Sequence, residues 1–166
     1  KKNYDARRDL ILSSSPSMDI LISSNLERLL FHLNNNNWKL IKRKMEELSK
    51  KGYYNMCNMD ISEFYGDYEN EEEVSQAIKE VFQEEDYLID PHTAVAYGVY
   101  KKYKKKFSDK TKTLIASTAS PFKFGEKVAT SIGIEVKGLN EFEILEELSR
   151  LSGVEIPKNI ESLKRK

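Results

Sequence analysis

Thr111–Lys127, TKTLIASTASPFKFGEK, is the stretch that decides how the chain is read. It has three parts. Thr113-Leu114-Ile115-Ala116 is a short apolar run with a β-branched centre, too short for a helix and suited to a buried strand. Ser117-Thr118-Ala119-Ser120 is a hydroxyl-rich turn. Pro121 stands where a helix would start, and Phe124 and Val128 lie on one helical face beyond it. In open α/β sheets, ligands sit outside the carboxyl ends of strands. A strand that ends in hydroxyls and feeds a helix is therefore a candidate ligand site. Ser and Thr at a helix start also serve as caps, and the pattern alone leaves both readings open.

Working outward, the same alternation of short apolar runs and helical stripes recurs. Lys1–Asp9 is charged, lacks periodicity and reads as an arm or linker. Leu10-Ile11-Leu12 reads as a strand, broken by Ser13–Ser17. A helix is expected from near Ser17, with Ile20, Ile22, Leu26, Leu29, Leu30 and Leu33 on its apolar face. Asn34–Asn37 is a low-complexity loop. Trp38, Ile41, Met45 and Leu48 predict the next helix, which Gly52 stops. Tyr53–Cys57 reads as a short strand, and Met59–Glu69 has no clear pattern.

Asn70 with Glu73, and Asn140 with Glu143, resemble capping boxes with Asn in the first place. Asp90 and Pro91 read as cap and first residue of another helix. Lys101, Lys102, Lys104, Lys105 and Lys106 cluster at that helix's C-terminal end, where cations suit the dipole. A solvated face explains such a run as well as an anion site does. Ile132–Val136 is a further candidate strand, and Pro157 starts a short final helix. Short strands separated by helices give a helix-rich α/β class with a few parallel strands.

Composition narrows the function. The chain has 166 residues, about one domain's worth, with 39% hydrophobic and 33% charged residues and a net charge of zero. No overall field favours nucleic acid or an anionic membrane. Cys57 is the single cysteine, which excludes an intramolecular disulfide, gives no zinc spacing and suits a cytoplasmic setting. It reads as inert. The first residue is Lys rather than Met, so either something was removed or the chain is a piece of a longer protein.

Few residues carry chemistry. His32 sits in a leucine-rich face and reads as packed or half-exposed, while His92 lies in Asp-Pro-His-Thr at a helix start. Asn25 and Arg28 are three apart and share a helical face, suited either to an anion or to holding two helices together. No glycine-rich phosphate loop, P-loop or GxSxG appears.

Three stretches together resemble the threonine synthases, in their long bacterial and fungal branch. These are Ser15–Leu29 (SPSMDILISSNLERL), Tyr87–Ala96 (YLIDPHTAVA) and Ser117–Phe124 (STASPFKF). The last matches the family pattern Thr-Ala-(His or Ser)-Pro-x-Lys-Phe. Order and approximate spacing agree.

The resemblance implies part of a fold type II enzyme that uses pyridoxal 5'-phosphate to convert O-phospho-L-homoserine and water to L-threonine and phosphate. In that fold type the pyridine nitrogen meets a Ser or Thr hydroxyl. By the match, Thr118 is the first candidate for that contact and Ser117 the second. His92, Asn25 and Arg28 become candidates for the substrate or its supporting shell.

The family's Schiff-base lysine, in a Phe-Lys-Asp context, and its glycine-rich phosphate loop have no counterpart here; Phe122-Lys123-Phe124 belongs to the C-terminal motif. The expectation is thus a C-terminal portion, inactive alone, that works with the missing N-terminal part of the same chain and with neither nucleic acid nor membrane. Residues 10–133 would belong to the cofactor-binding α/β domain, a helix-rich partial three-layer structure, and residues 134–166 to a helical extension. The alternative is a non-catalytic α/β interaction domain derived from such an enzyme.

Overall fold

The computed structural model describes residues 3–56 and 59–165. The chain divides into two compact units, Lys1–Tyr65 and Gly66–Lys166. Cys57 lies outside the described residues.

In the first unit, strand β1 (Asn3–Asp5) pairs antiparallel with β2 (Tyr53–Asn55), with Tyr4 opposite Tyr54. The two tyrosine rings stack at 5.5 Å. Helices α1 (Ser24–Leu33) and α2 (Trp38–Lys51) lie between the strands in sequence. Asn37 caps α2 by accepting the Leu40 N–H at 3.1 Å. Gly52 ends it in the left-handed conformation at φ 76°. A Cβ at Gly52 would also stand 2.6 Å from Arg7 Cγ, so glycine is required there twice over. Leu30, Ile41, Leu48, Tyr54, Met56 and Met59 form this unit's core.

Two expectations change here. The stretch read as an arm supplies β1. Helix α1 starts at Ser24, not near Ser17, because the preceding chain is held otherwise. Asp19 accepts the Ser13 N–H and hydroxyl, each at 2.7 Å, after a tight turn at Pro16–Met18. The Tyr4 hydroxyl donates to Leu21 O at 2.6 Å and accepts the Ser23 N–H at 2.9 Å. These bonds compete with the helix ladder. Ile20 and Ile22 are consequently exposed.

The second unit is built from α3 (Glu71–Glu85), α4 (Pro91–Phe107), α5 (Gly125–Ser131), α6 (Glu141–Ser152) and α7 (Lys158–Glu161). Both expected capping boxes form. Asn70 Oδ1 accepts the N–H groups of Glu72 and Glu73, while Glu73 accepts the Asn70 N–H at 2.8 Å. Asn140 and Glu143 repeat this at the start of α6. Gly153 ends α6 with φ 68°. Val74, Ile78 and Val81 of α3 meet Leu88, Ile89, Ala94, Phe122, Val128, Ala129, Ile144, Leu145 and Leu148 in one core.

The helix-rich fold class is as expected, although no parallel strand pairing forms among the described residues. The described strands are the antiparallel pair β1–β2. Leu10–Leu12, Thr113–Ala116 and Ile132–Val136 carry no ladder pairing. Leu114 is 99% exposed. A β-branched run becomes a strand only when a second backbone accepts its N–H and C=O groups. Among the described residues no second strand pairs with these runs, and Ile132 and Ile134 give their N–H groups instead to Val128 O and Ala129 O of α5. No described helix is long and apolar enough to cross a membrane.

Candidate functional site

The hydroxyl turn is fastened to the start of α4. Asp90 caps that helix, with its Oδ1 accepting the His92 N–H at 2.9 Å and the Thr93 N–H at 3.4 Å. Pro91 fills the first helical position, as its fixed φ favours. The Asp90 side chain is 0% exposed. Burial of a carboxylate requires partners, and it has them. The Thr93 hydroxyl donates to Asp90 Oδ2, and His92 Nδ1 lies 3.1 Å from Asp90 Oδ1. Thr93 Oγ1 also lies 3.1 Å from Ser117 Oγ. One buried carboxylate therefore gathers His92, Thr93 and Ser117 from two distant parts of the sequence.

Below the turn, Phe122 is buried, and the Phe124 ring stands 4.9 Å from the His92 ring. Pro121–Phe124 forms a 3-10 turn before α5, so the helix expected from Pro121 starts four residues later, at Gly125. A Cβ at Gly125 would stand 2.4 Å from Leu145 Cδ2, and its absence lets α5 lie close on α6. Ser117 and Thr118 are both exposed. The Thr118 hydroxyl has no partner among the described residues. Of the sequence candidates, Ser117, Thr118 and His92 are thus brought together in the second unit.

Asn25 and Arg28 belong to the first unit. Arg28 Nη2 donates to Asn25 Oδ1 at 3.2 Å, on an exposed face of α1. Arg28 also lines a groove of about 710 Å³ between α1 and α2, with Phe31, Trp38 and Met45.

Sequence reasoning missed Asp90 and Thr93 as parts of the site, although Asp-Pro-His-Thr spaces a carboxylate and a hydroxyl one helical turn apart. It also missed a charged cleft between α3 and α4. There the Glu69 side chain is 3% exposed, and its Oε1 has no hydrogen-bond partner. Burial raises its pKa, against the pull of Lys102 at 3.3 Å. Glu73 is lowered, by the Asn70 N–H and then by Lys102. Gly98 makes this possible, since a Cβ there would stand 2.3 Å from Glu69 Oε1.

Nearby, Glu80 is lowered by Lys101. The Tyr97 hydroxyl is pushed up to about 12 by burial and by its bond to Glu80. Lys101 and Lys102 of the basic run are thus engaged with carboxylates.

Two exposed hydroxyls, with a largely covered imidazole at the neighbouring helix start, can hydrogen-bond the edge of a nitrogen heterocycle. The ring of pyridoxal phosphate is such a heterocycle.

The model of the family "Threonine synthase, C-terminal" matches residues 93–165. The chain is 32% identical over 168 residues to the threonine synthase of Saccharomyces cerevisiae, covering 90% of this chain and 33% of that one. It is 36% identical over 144 residues to threonine synthase-like 1 of Mus musculus, covering 84% of this chain and 19% of that one.

The crystal structure of threonine synthase from yeast superposes with a TM-score of 0.72 at 29% identity, over 93% of this chain and 34% of that one. The PLP-bound threonine synthase from Brucella melitensis gives 0.69 at 29% identity, over 81% and 29%. The chain spans about a third or less of the length of these relatives. With the family match over its second half, the chain is a relative of the threonine synthases and carries sequence of their C-terminal region.

Proposed function

We propose that this chain supplies one wall of the cofactor site of a threonine synthase, a cytoplasmic enzyme converting O-phospho-L-homoserine and water to L-threonine and phosphate. Thr118 meets the pyridine nitrogen of pyridoxal phosphate. Ser117 and His92 stand beside it, and Asn25 and Arg28 serve the substrate or the shell around it. The cofactor lysine and the phosphate cradle come from chain outside these residues. When bound, pyridoxal phosphate supplies an electron sink. The residues here orient its ring and exclude water from one side.

The observation that carries the reading is the exposed Ser117–Thr118 turn tied to a buried carboxylate, inside the sequence that the family model covers. A turn with only a capping role would not need that tie.

Mixed with pyridoxal phosphate alone, the 166-residue protein should develop no visible absorbance from lysine-bound cofactor and should form no threonine. A borohydride-reducible adduct at a single lysine would overturn the division of labour proposed here.

In an enzyme carrying this region, Thr118→Val should lower kcat by about tenfold or more while leaving circular dichroism unchanged. The change removes one hydroxyl at similar volume, and a lost hydrogen bond at a reacting group costs about 1.4 kcal/mol or more. Unchanged activity would refute the assignment of Thr118.

A further inference from the structure

We infer that Asp90 sets the direction of a hydrogen-bond chain, Asp90–Thr93–Ser117, that makes Ser117 an acceptor toward the site and leaves Thr118 as the neighbouring hydroxyl able to donate. Asp90 and Thr93 are then positioning residues, acting through Ser117. Only the identity of the group facing the turn rests on the function proposed above.

Thr93 has one hydroxyl proton and two oxygens within reach, Asp90 Oδ2 and Ser117 Oγ. An ionised carboxylate accepts hydrogen bonds and donates none. Asp90 Oδ1 already receives the N–H groups of His92 and Thr93, with His92 Nδ1 close by. Donors thus surround this carboxylate. The Thr93 proton therefore goes to Oδ2, and Thr93 Oγ1 is left with lone pairs toward Ser117. The bond between those two hydroxyls forms only if Ser117 gives its own proton to Thr93. What Ser117 then presents outward is lone pairs alone.

Thr118 has no such tie among the described residues, so its proton is not committed. An acceptor such as an unprotonated ring nitrogen finds its donor in Thr118. A ligand N–H finds its acceptor in Ser117. Two adjacent hydroxyls of similar chemistry are given opposite polarity by a residue buried behind them.

The polarity can be reversed by one isosteric change. In Asp90→Asn, Oδ1 remains held by the two capping N–H groups, so the amide nitrogen must take the place of Oδ2. It then donates to Thr93, Thr93 donates to Ser117, and the Ser117 proton turns outward. Thr93→Val instead cuts the chain while leaving the cap.

The test is proton NMR of the 166-residue protein without cofactor, following slowly exchanging hydroxyl protons. In the wild type, the Ser117 hydroxyl proton should be slowed and show a cross-peak to the Thr93 side chain. In Asp90→Asn that signal should be lost to solvent exchange, while the Thr93 proton remains and points to Ser117. In Thr93→Val it should be lost outright.

A wild type whose Ser117 proton exchanges freely, or variants that leave it slowed, would overturn the proposal. The wild-type spectrum alone decides the direction, so a variant that folds poorly does not protect the idea. None of these outcomes bears on whether Thr118 serves the cofactor, which the Thr118→Val kinetics decide.

Discussion

Replacing Leu148 with Ala should destabilise the Gly66–Lys166 unit by roughly 2–5 kcal/mol. Leu148 is fully buried on α6, in the core it shares with Ile78, Val128 and Phe122. Removing its side chain loses the transfer energy of the buried methyl groups and leaves a cavity in the core that this helix shares with the rest of the unit. Such a site relaxes poorly, because α5 and α6 are already in close contact at Gly125 and Leu145. A fall in Tm of roughly 8 °C or more is expected, given how stability maps onto melting temperature in a unit this small. A change of less than about 1 kcal/mol in urea unfolding would show that α6 is an appendage rather than part of the core.

The second large effect belongs to Asp90→Ala, expected to cost about 2–4 kcal/mol. A lost N-cap accounts for roughly 1–2 kcal/mol. The buried Thr93 hydroxyl, deprived of its acceptor, accounts for about 1–3 kcal/mol. Removing a buried charge returns part of this, since a carboxylate is costly to dehydrate. Asp90→Asn keeps the cap and the volume, and should cost less than about 1 kcal/mol. The comparison isolates the role of the residue. If Ala and Asn lower stability equally in chemical denaturation, the cap and the Thr93 contact are not what Asp90 contributes.

Local rules were the legible part of this fold. Asn70–Glu73 and Asn140–Glu143 start helices because the bonds that make a capping box span three residues. Gly52 and Gly153 stop helices because a left-handed residue is needed at that point. The misread segments depend on distant partners. Tyr4 reaches seventeen residues along the chain to hold Leu21 out of a helix. Thr113–Ala116 has a strand's composition, but a strand also requires a neighbouring backbone, which no pattern within four residues can reveal.

The site shows the same division. The hydroxyl turn and His92 were readable as motifs. Their union through Asp90 and Thr93 spans twenty-four residues between Thr93 and Ser117 and was not. Glu69 gave no signal of its own, because its burial depends on a missing Cβ at Gly98, on α4.

The bare Thr113–Ala116 run has a colloidal consequence. A run with no ladder partner among the described residues, carrying an outward Leu114, is a template on which a second copy can add. Lys110 and Lys112 precede the run, and Lys123 follows it. Like charges brought together by such pairing repel, and that repulsion opposes the addition of a second copy. Salt shortens its reach, to about 3 Å at 1 M. The same lysines that make the run tolerable at low ionic strength are therefore the first protection lost when the protein is concentrated in high salt.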